Sequence, residues 1–243
     1  MNQILNVHLL PELAHPHDLA GHTSVVVDVL RASTTITTAL DSGAEKIVPC
    51  LAVEEARQLA TQRPGALLGG ERQGKKLPGF DFGNSPAEYT PDRIRGKTLV
   101  FTTTNGTKAM TRCMGSSRIL IGSIVNRSAI CEAVASDGRV DIICAGTNDE
   151  FSMDDALAAG AIASGLGHWH CNDGAKVCRQ LWESQVVNGD QASIRKVLAN
   201  SVGGSDLIAI GMDSDLDLAA DLDRFSLVPK LDRSTWEISQ AKG

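Results

Sequence analysis

The chain has 243 residues, 42% hydrophobic and 21% charged, the balance of a globular protein that buries a core without disulfide or metal staples. Its formal net charge is −6, so no global field draws it to nucleic acid or an anionic membrane. An anionic ligand must be held locally, by Arg, Lys, backbone N–H groups or a metal.

In chain order, the sequence opens on a short apolar strand after Met1-Asn2-Gln3-Ile4. Ser24 to Leu30 reads as a strand apolar on both faces, as in a covered parallel sheet. Lys46–Pro49 is a short strand, Val53–Gln62 a helix closed by Pro64-Gly65, and Ala66–Gly69 a further strand. Strands are predicted at Thr98–Phe101, Arg118–Ile121 and Val140–Ala145, and a late one at Phe225–Pro229. Asn126 is placed to cap a helix running to about Ser136, and Ser152 one running to about Leu166. Strand alternating with helix predicts a layered α/β/α fold on a parallel or mixed sheet. The chain is read as a single domain over 1–243, with a more helical, polar stretch around 169–200 that could form a second lobe. No apolar run reaches the roughly 18 residues of a transmembrane helix. The N-terminus lacks the charged start and apolar core of a signal peptide. None of the six cysteines pairs as C-x-x-C. These features predict a cytoplasmic protein with reduced thiols.

Five constellations carry chemistry. In the first, Asp28 ends an apolar strand and Arg31, Ser33 and Thr34 follow where the chain turns toward a helix. Ligands bind at the carboxyl ends of strands in open α/β sheets, and a helix start offers N–H groups to an anion. The plainer reading is that Asp28 caps the turn and Ser33 the next helix; an ionisable group in so apolar a strand favours function. A phosphoaspartate phosphatase of the haloacid dehalogenase type would need a second Asp two residues on, where Leu30 stands. Next, Gly69 to Lys76 approaches a P-loop, but Lys76 replaces the hydroxyl residue and Leu77-Pro78-Gly79 cannot open a helix, so it is a decoy. Glu71, a hard oxygen ligand, and cationic Arg72 remain. The third, Gly79 to Pro86, is a constrained loop, either a structural turn or part of a site. In the fourth, Thr102 to Thr107 follows a strand, and its hydroxyls, Asn105 and Gly106 suit a phosphate cradle. A hairpin at Asn105-Gly106 is the alternative, and helix-compatible Lys108-Ala109-Met110 argues against it. In the fifth, Ala145 to Asn148 precedes Asp154-Asp155 in a first helical turn, where the dipole favours acids and two carboxylates suit Mg²⁺. Asp213 to Asp217 fails as a calcium loop, since Leu218 and Arg224 occupy its Gly and Glu positions.

The stretches VVVDVLRASTTI, GGERQGKKLPGFDFGNSP, TTTNGT, CAGT with DDALAAG, and DLDRFSLVP together resemble the 2-phosphosulfolactate phosphatase family. The resemblance implies a Mg²⁺-dependent phosphoric monoester hydrolase that releases phosphate from 2-phosphosulfolactate, or a similar small acidic ester, to leave the 2-hydroxy acid. In methanogens this step leads toward coenzyme M. It also implies a layered α/β fold and a homodimer. The family pattern at the helix start is Glu-Asp, here Asp154-Asp155, so Asp155 is the expected ligand. On this reading Asp28, Glu71 and Asp155 hold the metal, while Arg31, Arg72 and Asn105 act on the phosphoryl group. Ser33, Thr34, Thr104, Gly106 and Thr107 bind substrate. The nucleophile is water or Asp28 itself. The alternative outside catalysis is a binding protein for an anionic phosphorylated metabolite.

Overall fold

The computed structural model describes residues 3–241. Its first half comprises β1 (Ile4–His8), β2 (Thr23–Val27), α1 (Ala32–Asp41), β3 (Lys46–Cys50), α2 (Val53–Thr61), β4 (Leu67–Arg72), β5 (Lys75–Lys76), α3 (Pro91–Ile94), β6 (Thr98–Thr102) and α4 (Asn105–Arg112). The second half adds β7 (Arg118–Gly122), α5 (Arg127–Val134), β8 (Arg139–Cys144), α6 (Met153–Gly165), β9 (His170–Cys171), α7 (Asp173–Gln185), α8 (Gln191–Ala199), α9 (Val202–Ala209), α10 (Ser214–Ala219), β10 (Pro229–Asp232) and β11 (Glu237–Gln240). The strands form one mixed sheet in the order β5-β4-β6-β3-β11-β10-β7-β2-β8-β1-β9, and the α/β expectation holds.

Two parallel half-sheets lie within it: β4-β6-β3 and β7-β2-β8-β1-β9. The antiparallel β10–β11 hairpin joins them, pairing with β7 on one side and β3 on the other. Alternation of side chains across the pleat sorts the core. Val25, Val27, Ile142 and Cys144 meet α5, α6, α7 and α8 on one face. Val26, Ile143, Ile119 and Ile121 meet α1 and α4 on the other, in a cluster that also holds Ile47, Leu99 and Phe101 of the far half-sheet. Both half-sheets thus share one core cluster with α1 and α4. Residues 169–200 contribute Trp169, Ala175, Cys178, Trp182, Ile194, Val197 and Leu198 to the same cluster as β1 and β8. Here α7 lies so close to α6 that a Cβ on Gly160 would meet the Cys178 carbonyl oxygen at 2.0 Å.

Several predicted boundaries move for identifiable reasons. The strand expected to reach Leu30 stops at Val27, because the next two amides leave the ladder: Asp28 N donates to Ser33 Oγ and Val29 N to Asp155 Oδ1. The strand expected at Phe225–Pro229 begins only at Pro229. Phe225 and Leu227 bury into the core, but from an extended segment tied at Phe225 N to Val125 O rather than by a ladder. Asn126 does not cap α5; its carboxamide accepts from Ser123 N and donates to Ile121 O and Leu227 O. Ser152 does not cap α6 either, since its hydroxyl donates to Asp154 Oδ1.

Asp141 on β8 is fully buried yet charged, held by Asn6, His8 and Arg139 at 2.9–3.1 Å. Burial alone would raise its pKa, but the hydrogen bonds from His8, Arg139 and Asn6 outweigh it and leave the carboxyl below its ordinary 3.8. A pKa lower in the folded than in the unfolded chain stabilises above the unfolded value, and that stabilisation is lost as pH falls through the folded one. Asp141→Asn is therefore expected to cost about 2 kcal/mol at neutral pH, with the gap to wild type closing below pH ~4. Urea melts of both proteins across that range check it.

Candidate active site

The turn after β2 is built by Asp28. Its Oδ1 accepts the Ala32 amide at 3.0 Å, and its backbone carbonyl accepts Ser33 N and Ser33 Oγ at 2.7 Å each. Asp28 therefore closes the turn, as the plainer reading held, while Ser33 lies inside α1 and does not cap it; Asp28 also lines a cavity of about 570 Å³. The Leu30–Arg31 peptide is cis. Arg31 lines the same cavity and is only 3% exposed. Its Nη1 donates to Asp215 Oδ2 at 2.6 Å and its Nη2 to Gly74 O at 2.8 Å. Asp215 is in turn held through Oδ1 by Ser85 Oγ at 2.6 Å. One guanidinium thus joins the β2 turn, the β4–β5 hairpin, α10 and the 79–86 loop, which fixes its planar fork in place.

The Gly69–Lys76 stretch is a hairpin: Glu71 pairs with Lys76 and Arg72 with Lys75. Gln73 and Gly74 take φ of 54° and 74° at its tip, the left-handed pair of a two-residue I′ turn. The rejection of a P-loop stands, since no helix follows the glycines. Glu71 Oε2 accepts the Gly74 amide at 2.8 Å, and Arg72 donates to Leu51 O, Thr102 Oγ1 and Glu71 O. Both line the cavity. The Thr102–Thr107 segment is a strand-to-helix turn and not a hairpin, for β6 ends at Thr102 and α4 starts at Asn105. No side chain caps α4; its Gly106 amide faces the Asp28 carboxyl, and such a helix start favours an anion. Thr103, Thr104 and Asn105 line the cavity.

The remaining predicted residues support rather than line it. Thr34 Oγ1 bonds Val29 O and Ser123 Oγ, and Thr107 Oγ1 bonds Thr103 Oγ1. Gly106 packs against Asp28, where a Cβ would approach Oδ2 to 2.9 Å. Ser33 braces the turn as described. Asp155 is also absent from the wall: it is buried, and its two oxygens accept Val29 N at 2.8 Å and Gly146 N at 2.9 Å. Ser33, Thr34, Thr107 and Asp155 hydrogen-bond within the protein and Gly106 packs against Asp28, so each stands behind the cavity wall.

Electrostatics follow from burial. Burial raises the Asp28 carboxyl, the Ala32 amide opposes it, and the like charges of Asp154 and Glu71 add to the rise, leaving it at about 7. Asp155 is pushed well above the usual range by burial and by the charges of Asp154 and Asp28. Among the described residues no group of three or more His, Cys, Asp or Glu is arranged to hold a metal. Mg²⁺ does not need one; it takes one or two carboxylates, keeps several waters and shares phosphate oxygens. Asp28 and Glu71 on one cavity wall fit that requirement, and a cation there offsets their mutual repulsion.

Part of the cavity lining, the α9 residues above all, was not legible in the sequence. Gly203, Asp206 and Leu207 of α9, with Ala209 and Ile210, close the cavity. Asn84 lies in the 79–86 loop, and Thr147 and Asn148 follow β8. Asp215 sits in the acidic run that resembles a calcium loop. Nothing local distinguishes it from its exposed neighbours Asp213 and Asp217; only its burial against Arg31 does.

The chain is similar to known proteins along most of its length. The sequence model of the family described as 2-phosphosulpholactate phosphatase matches residues 8–234. A protein of Symbiobacterium thermophilum is 41% identical over 219 residues, covering 87% of this chain and 92% of that protein. One of Deinococcus radiodurans is 38% identical over 234 residues, 93% of this chain and 92% of the relative. One of Clostridium acetobutylicum is 49% identical over 142 residues, 58% of this chain and 60% of the relative. All three carry the name probable 2-phosphosulfolactate phosphatase. With an α/β fold whose strand ends place Asp28, Arg31, Glu71, Arg72 and the start of α4 around one cavity, and with a family match over nearly the whole sequence, this chain belongs to the 2-phosphosulfolactate phosphatase family.

Proposed function

We propose that the protein hydrolyses 2-phosphosulfolactate, or a closely similar small acidic phosphate ester, to the 2-hydroxy acid and phosphate, with Mg²⁺ as cofactor. The observation that carries this reading is the convergence of Asp28, Glu71, two arginines and an uncapped helix start on one cavity, which Asp206 also lines. Asp28 and Glu71 would hold the ion. When bound, it would neutralise phosphoryl charge and acidify a water. Arg31 and Arg72 hold the phosphoryl oxygens from fixed positions, and the α4 amides with Thr104 and Asn105 complete the cradle. Charge developing on those oxygens is met by donors already oriented, so little reorganisation is needed as the ester bond breaks. Asp28 is immobilised through the Ala32 amide, which suits a fixed ligand, and water is read as the nucleophile. Asp155 braces the Val29 and Gly146 amides behind it.

Family resemblance supports a homodimer, and six free, mostly buried cysteines suit a reducing cytoplasm. Among the described residues no helix is long and apolar enough to cross a membrane.

The test is phosphate release from a panel of small phospho-acids that includes 2-phosphosulfolactate, with Mg²⁺ and with chelator. Release is expected only with the ion, and Asp28→Asn is expected to lose it while keeping its fold by circular dichroism. Folded protein that binds the esters without releasing phosphate would instead be a binding protein for a phosphorylated acid.

A further inference from the structure

Among the described polar residues buried in the cavity wall, Asn84 is the one whose side chain makes no hydrogen bond inside the protein. It is 5% exposed and lines the cavity. Its Oδ1 is sealed from solvent without a hydrogen-bond partner, and no described residue bonds its carboxamide. Buried side-chain amides are almost always paired; here the Nδ2 end is also unclaimed by any described residue and, unlike Oδ1, is not sealed from solvent.

Looseness of the loop is not that explanation. Thr35 Oγ1 donates to the Asn84 carbonyl at 2.8 Å, and Tyr89 Oη to the Gly83 carbonyl at 2.7 Å. Gly83 N donates to both Glu88 carboxylate oxygens at 3.0 Å. Ser85 Oγ donates to Asp215, the anchor of Arg31, at 2.6 Å. The backbone of Asn84 is therefore fixed by its neighbours, next to Ser85, which braces the arginine's anchor Asp215, while the carboxamide is left over. Such a group presents an N–H donor and a C=O acceptor, and the unclaimed space beside it is the cavity.

We propose that Asn84 is a substrate-contacting residue, donating its side-chain N–H to an anionic oxygen of the bound ester. The inference rests on the reading of the cavity as a phosphate-ester site and adds to it a neutral donor beside two charged ones. A neutral amide recognises an oxygen by direction without adding net charge, and so discriminates among acids of the same charge.

The experiment uses the intact protein with Mg²⁺, measuring inorganic phosphate affinity by calorimetry and ester hydrolysis as KM and kcat. Asn84→Ala is expected to weaken phosphate binding or raise KM about tenfold, the loss of one hydrogen bond to a charged group. Asn84→Asp, which replaces the donor with a negative charge of the same shape, is expected to cost on the order of a hundredfold. Thermal stability of Asn84→Ala should stay close to that of wild type, because no hydrogen bond within the protein is removed; a purely structural residue would lower Tm and leave affinity alone. Wild-type protein that binds phosphate and turns over ester, with both variants within twofold of it, would overturn the inference and spare the site. Wild-type protein that neither binds phosphate nor releases it would overturn the site reading and the inference with it.

Discussion

Arg31→Ala is expected to lower turnover by roughly a hundredfold or more, the scale seen when one preorganised charge-stabilising donor is removed. Two of its donors are committed to Asp215 and Gly74; the rest of the guanidinium remains for the cavity it lines. The simple variant also leaves the buried Asp215 carboxylate without its cation, so lost activity could reflect lost structure. The double variant Arg31→Met with Asp215→Leu separates the two effects. Replacing a buried pair by apolar residues of similar size is commonly neutral for stability, so the double variant should fold like wild type and still be inactive. A fall in kcat of less than threefold in Arg31→Ala, or recovered turnover in the double variant, would remove Arg31 from the chemistry.

Asp215→Ala carries the largest expected stability effect, about 3–5 kcal/mol, because it strands a buried guanidinium. Asp215 is 1% exposed and Arg31 3%, so solvent can do little to reclaim the charge. Ser85 loses its acceptor as well, and the contact between α10 and the 79–86 loop goes with it. Chemical denaturation measures the loss, and turnover should fall in parallel because Arg31 is no longer aimed. A change of less than about 1 kcal/mol would place the pair with ordinary exposed ion pairs and sink its role as the brace of the site.

The site's anionic half could be read from the chain because its chemistry sits at strand ends. Asp28, Glu71 and Asn105 each follow an apolar run that makes a recognisable strand, and residues just past such strands meet at one edge of the sheet. Asp155 shows where the sequence alone leaves a role open. An acid in the first turn of a helix looks the same in sequence whether it faces a cavity or props up backbone amides, and here Val29 and Gly146 claim both oxygens. Ser152 and Asn126 do mislead: each is a good capping residue drawn to a tertiary partner instead.

By itself, then, the sequence determined the alternation of strand and helix, the Gly-rich turns, and the acids and arginines at strand ends, because these depend on local periodicity and backbone preference. The tertiary structure alone decided what spans large sequence separations. It inserted the β10–β11 hairpin between two parallel half-sheets, folded α9 over the cavity, and buried Asp215 against Arg31, 184 residues away. Those choices follow from which faces bury together and which charges lose their water, and neither quantity exists until the chain has closed on itself.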